Sequence, residues 1–118
     1  MHLVPVDRAE RRIIDPEKVC QAIEGLGDPA DTQAWAQRFA VLSDPTRLRL
    51  LLCIKAAGPV SVSDLAVAAD LNDATVSQTL RFLRASQTVT TERDGKVIRY
   101  QLHDAVIGEL LDRAISLR

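Results

Sequence analysis

Apolar residues recur along this chain in short blocks whose spacing changes from helical to alternating and back to helical. Val19, Ala22, Ile23 and Leu26 stand at i, i+3, i+4 and i+7, the stripe of an amphipathic helix. Asp15-Pro16-Glu17 is its start signal: an acid at the N-cap, proline at the first helical position, and a second acid in the first turn. Gly25 and Gly27 end it. Asp28-Pro29 and Asp31 open a second helix, in which Ala34, Trp35, Phe39 and Leu42 recur at helical spacing. Ser43-Asp44-Pro45-Thr46 stops that helix and starts a third, because proline is tolerated in a first turn and disfavours helix before it. Leu48, Leu51, Leu52 and Ile54 make the third helix apolar almost all round, which predicts burial on most sides. Ala56-Ala57-Gly58-Pro59 terminates it.

The stretch from Val60 to Tyr100 is the most organised part of the chain. Ser61 to Ala66 opens a short helix, Ala69-Asp70-Leu71-Asn72 breaks it, and Asp73 to Leu83 forms a second one. In that second helix Val76, Leu80 and Leu83 repeat at i, i+4 and i+7 and face a core, which turns Thr75, Ser77, Gln78 and Arg81 outward. Thr88–Arg93 and Lys96–Leu102 are β-branched alternating segments around Asp94-Gly95, a dipeptide suited to a two-residue type I′ hairpin. Two short helices, a tight turn and a hairpin describe a winged helix-turn-helix, mainly α with a small β-hairpin wing. His103-Asp104 starts a last helix with a broad stripe of Val106, Ile107, Leu110, Leu111, Ala114 and Leu117. No later segment can cover this stripe, so it is expected to pack against the long helix near Trp35, in the same chain or a second copy. Residues 1–14 lack periodicity, carry Arg8, Glu10, Arg11 and Arg12, and read as a mobile arm ahead of a single domain over 15–118.

Composition narrows the function. The chain has 118 residues, 47% hydrophobic and 26% charged, enough for one unaided core. No apolar run approaches the roughly 20 residues needed to span a bilayer, and Met1-His2-Leu3-Val4-Pro5 lacks a signal-peptide layout, so a cytoplasmic protein without membrane contact is expected. The formal net charge is −1, but the segment Ala74–Tyr100 holds five bases (Arg81, Arg84, Arg93, Lys96, Arg99) against two acids (Glu92, Asp94), a local +3. The outward helix residues fit base recognition in a major groove: glutamine pairs with adenine, arginine with guanine, and serine or threonine with bases or phosphates. Arg93, Lys96 and Arg99 on the hairpin suit phosphates or a neighbouring minor groove. A polar helix face or a basic hairpin alone is usually a merely solvated surface. The two joined to core and turn spacing in one unit favour double-stranded DNA as partner. No nucleophile–base pair, phosphate loop or paired catalytic carboxylates argue for an enzyme.

At this point the sequence resembles the ArsR/SmtB family of metal-sensing repressors. The matching residues are Ala40-Val41-Leu42-Ser43-Asp44-Pro45-Thr46-Arg47-Leu48-Arg49-Leu50-Leu51, Val62-Ser63-Asp64-Leu65-Ala66, Ala74 to Arg84, and Asp94 to Leu102, within about Trp35 to Ala114. Thr79 stands where the family usually has histidine in its recognition helix, and joins the DNA-binding set on that match. The resemblance implies a homodimer through the first core helix and the last helix, here Trp35, Phe39 and Leu42 with Ile107, Leu110, Leu111 and Ala114. A two-fold symmetric operator would follow.

The effector is less plainly written. The family's Cys-x-Cys position holds Ser61-Val62-Ser63, so that thiolate site is absent. Its last-helix site keeps Asp104, but Val106 and Leu117 replace the expected histidines. The only histidines are His2 and His103, and family members that recruit N-terminal ligands suggest a site of His2, His103 and Asp104. Imidazole, carboxylate and amine donors suit one Ni(II), Co(II) or Zn(II) per subunit. The bland alternative makes His103 a helix-start residue only. Control by thiol oxidation at Cys20 and Cys53, or by a co-regulator protein, is a further alternative. Cys53 reads as a small core residue, and no neighbouring base marks either thiol as reactive.

Overall fold

A computed structural model describes residues Val4–Arg118. His2, one of the candidate ligands, lies outside the described residues. The chain divides into two compact units, residues 1–37 and 38–118, with the boundary inside one helix.

In the first unit a single 3-10 turn, Val6–Arg8, precedes α1 (Pro16–Leu26). Pro16 opens α1 as expected, but the Asp15 carboxylate makes no capping hydrogen bond. Gly27 ends the helix at φ +68°, a backbone conformation that favours glycine. Cys20 is buried. The next helix, α2 (Pro29–Leu42), starts with Ala30 N–H donating to Asp28 Oδ1 at 2.8 Å and runs into the second unit.

The second unit holds the core. Asp44 Oδ2 accepts the Arg47 N–H at 2.9 Å and caps α3 (Pro45–Ala57), which ends at Gly58 with φ +73°. Leu50, Leu51 and Ile54 of α3 are completely buried, and Leu48, Leu52 and Cys53 are half-buried against the same core. Next come α4 (Val62–Ala69), capped by Ser61, and α5 (Asp73–Ala85), capped by Asn72. Between them lie three residues, Asp70-Leu71-Asn72, with Asp70 left-handed at φ 54°. The Asn72 Oδ1 accepts the Thr75 N–H at 2.7 Å. Replacing Asn72 by alanine removes this cap and is expected to cost about 1 kcal/mol, read as a lower urea midpoint with unchanged slope.

The sheet has three strands, one more than the spacing predicted. Its order is β1 (Val60–Ser61), β3 (Val97–Leu102), β2 (Val89–Asp94), all antiparallel. Two residues are too few for a period, so β1 left no signal. The hairpin also turns one position later than expected. Asp94 pairs with Val97, so the two loop residues are Gly95 and Lys96. Only Gly95 has a positive φ, 63°, which is the pattern of a II′ turn with glycine first and not of the expected I′ turn.

The last helix, α6 (Ala105–Ser116), packs on α3. Lys55 Nζ meets Asp112 Oδ1 at 3.4 Å across that contact. Ile107 and Leu111 therefore lie in the chain's own core, each 1% exposed, while Leu110 is half-buried and Ala114 and Leu117 face out. The expectation that the stripe packs against the long helix near Trp35 is corrected for Ile107 and Leu111, which are buried in the core that α6 shares with α3. Among the described residues no helix is long and apolar enough to cross a membrane.

Candidate nucleic-acid interface

The recognition surface is built from the inside out. Val76, Leu80 and Leu83 are 0% exposed and pack with Leu65, Ala66 and Ala69 of α4. With that face fixed, the opposite face of α5 has one orientation. Gln78 and Arg81 are exposed on it, and Thr75, Ser77 and Thr79 are partly exposed. Thr79 Oγ1 donates to the Thr75 carbonyl at 2.9 Å, so its hydroxyl proton is engaged within the helix and the oxygen is left as an acceptor.

The wing supplies charge. Arg93 and Lys96 are exposed, and among the described residues neither they nor Arg81 form an ion pair. Arg99 differs, since its Nη1 meets Asp94 Oδ2 at 3.1 Å, so part of its charge is already answered within the hairpin. Such an exposed pair is worth little and yields readily to a phosphate. The local +3 is thus carried chiefly by Arg81, Arg84, Arg93 and Lys96.

Thr88, the buried polar residue at the start of the wing, ties the end of α5 to the start of α6. Its N–H donates to the Leu83 carbonyl at 2.9 Å, and its Oγ1 shares a 2.9 Å hydrogen bond with Ser86 Oγ. Its carbonyl accepts from the backbone N–H of His103 at 2.9 Å and of Asp104 at 3.3 Å. Gln87 makes the connection by adopting φ 61°. A continuous set of hydrogen bonds therefore joins the candidate effector residues to the recognition helix.

Asp104 is heavily engaged. Its Oδ1 accepts the N–H groups of Val106 and Ile107, and its Oδ2 meets Arg38 Nε at 3.3 Å. That pair joins α2 to α6. His103 is exposed and lines an open groove of about 460 Å³ with Arg84, Gln87 and Thr91. Among the described residues no three His, Cys, Asp or Glu side chains gather as a ligand set. His103 and Asp104 fit a divalent ion by donor type, but a further donor is required, from the N-terminal segment or a second subunit. Both cysteines are free thiols.

Of the residues named for a dimer contact, Trp35 is 40% and Phe39 56% exposed, and Leu42 is half-buried. Arg38, Arg47, Phe82 and Thr88 were not singled out by the sequence. Arg47 carried the clearest signal, as the arginine of the Asp-Pro-Thr-Arg block.

Residues 42–87 match a family model described as a helix-turn-helix domain. The chain is 40% identical over 90 residues to the HTH-type transcriptional regulator NmtR of Mycobacterium tuberculosis, covering 74% of each. It is 33% identical over 95 residues to the transcriptional repressor SmtB homolog of Synechocystis sp., covering 80% of this chain and 71% of that one. The crystal structure of the AntR antimony-specific transcriptional repressor superposes with a TM-score of 0.71 at 25% identity, over 97% of this chain and 91% of that one. Capped recognition helix, basic wing and these relatives agree: the chain belongs to the ArsR/SmtB family of winged helix-turn-helix, metal-sensing transcriptional repressors, and is a DNA-binding regulator and not an enzyme.

Proposed function

We propose that the protein acts in the cytoplasm as a homodimeric repressor on a two-fold symmetric operator, with DNA affinity modulated by an ion such as Ni(II), Co(II) or Zn(II), one per subunit. The observation that carries the DNA half is the outward face of α5. Gln78 and Arg81 are exposed on a helix whose opposite face is locked into the core, beside the Arg93 and Lys96 charges of the wing. Thr75, Ser77 and Thr79 complete the reading surface, and Arg99 joins the wing's phosphate contacts by exchanging Asp94. Exposed Trp35 and Phe39 support the dimer contact expected of the first core helix.

His103 and Asp104, completed by His2, are the proposed ligands. The ion would supply fixed positive charge, and Asp104 cannot serve it fully while bonded to Arg38. In the effector-bound state Arg38 is released from the start of α6, and in the other state it holds α2 there. Thr88 lies between this exchange and α5. A coupling of about 1–3 kcal/mol between effector and DNA is ordinary for such a two-state device.

Footprinting on DNA upstream of the protein's own gene tests the reading. It predicts two protected half-sites about one helical turn apart. Arg81→Ala is expected to lose about 1–3 kcal/mol and relax discrimination at one base position. Lys96→Ala should weaken all sequences alike and reduce the salt slope by about one. An Arg81 variant that binds as its parent does would refute the assigned base contact, and a single asymmetric footprint would refute the dimer.

A further inference from the structure

We infer that Arg47 is a positioning residue for the recognition helix, bracing the outer side of α5 against the C-terminus of α2 through Phe82. Arg47 Nε donates to the Val41 carbonyl and Nη2 to the Ala40 carbonyl, each at 2.9 Å. These carbonyls belong to the last turn of α2, where helix geometry runs out of donors. Ser43 also donates to the Ala40 carbonyl, from its N–H at 3.3 Å and its Oγ at 2.8 Å, so Arg47 completes a C-terminal cap that Ser43 begins. The same guanidinium lies over the Phe82 ring, 4.6 Å from its centroid. Its backbone is held as well, because the Arg47 N–H is the one that Asp44 caps. One side chain thus fastens three helices: it grows from α3, closes α2 and carries α5.

Phe82 has no role in the core. It is 47% exposed, while its neighbours in the core stripe, Leu80 and Leu83, are fully buried. It follows Gln78 by one helical turn and so lies on the same side of α5 as part of the reading surface. The core residues set which face of α5 is buried, and the Arg47–Phe82 contact steadies the small roll that packing still permits, which tunes where Gln78 and Arg81 meet the base edges. Lysine cannot replace this arginine. A point-charge ammonium lacks the planar fork that reaches two carbonyls while stacking on a ring.

The inference rests on the operator reading above, and the parent protein's own footprint settles that reading separately. The test is a double-mutant cycle of Arg47→Lys, Phe82→Leu and the pair, read by fluorescence anisotropy on the footprinted duplex and on a scrambled duplex of the same length, across a salt series. Circular dichroism at the same temperature confirms that each variant is folded. Each single variant is expected to lose about fivefold on the footprinted duplex, in the range of one cation–π contact, and the pair should lose no more than the worse single. The scrambled duplex and the salt slope should be unchanged. A merely structural role would lower both duplexes equally, in step with thermal stability, and would overturn the proposal. So would a direct phosphate contact, in which Arg47→Lys binds like the parent. Losses that multiply in the double variant would also overturn it, because Phe82 and Arg47 would then act independently.

Discussion

Replacing Leu80 by alanine is expected to lower the unfolding free energy by about 2–5 kcal/mol, the range for a large side chain removed from a closed core. Leu80 is 0% exposed at the centre of the recognition helix, between Val76 and Leu83. The cavity would open under α5, where α4 and α3 pack against it. A small domain has about 5–15 kcal/mol in total, so this one change removes a large share. Thermal unfolding monitored by circular dichroism should show a fall of roughly 8–40 °C, at about 4–8 °C per kcal/mol. Val67 on α4 provides the control. It is 82% exposed, and Val67→Ala is expected to stay within about 0.5 kcal/mol of the parent. Equal effects of the two changes would mean that the faces of the helix-turn-helix are assigned wrongly.

Asp104→Ala is the second large effect. This carboxylate caps α6 through two N–H groups and holds Arg38 at 3.3 Å, with both side chains less than a third exposed. Alanine removes the cap, worth about 1 kcal/mol, and leaves a half-buried guanidinium without this carboxylate. A total of about 2 kcal/mol is expected from urea denaturation. Asparagine caps as well as aspartate does, so Asp104→Asn should recover roughly half of that loss and isolate the ion pair. The same variant should abolish any metal effect on DNA binding, because the anionic oxygen is gone while the helix start is intact. An Asp104→Asn protein with full metal response would remove Asp104 from the proposed ligands.

The fold was legible wherever local chemistry decides structure. Asp44-Pro45 and Ser61 mark helix starts because their side chains bond the first free N–H groups, and the structure begins α3 and α4 there. Asn72, legible only as part of the break before Asp73, proves to be the cap of α5. The Val76, Leu80, Leu83 spacing identified the buried face, and hence the outward Gln78 and Arg81, since helix geometry leaves no other arrangement. The hairpin differs by one residue from the Asp-Gly loop that the sequence predicts. Glycine took the first loop position and Asp94 stayed in the ladder opposite Val97. The stripe of α6 was recognised, but its breadth concealed the fact that Ile107 and Leu111 already had a partner in α3. What the sequence could not display were contacts between distant positions. Arg38 and Asp104 lie 66 residues apart, and Arg47 reaches Phe82 across two intervening helix boundaries. These side chains hold α5 and α6 in place, so the parts of the site that position were hidden while the parts that read DNA were visible.

The measurement that tests the account most directly is fluorescence anisotropy of labelled duplex DNA from upstream of the protein's own gene. It is titrated with protein across a salt series, with chelator and then with Ni(II), Co(II) or Zn(II). The account predicts tight binding that weakens as salt rises and that shifts about 5- to 150-fold with at least one ion. Tight binding indifferent to all three ions would contradict the proposed ligands, and binding that is absent or insensitive to salt under every condition would contradict the recognition surface itself.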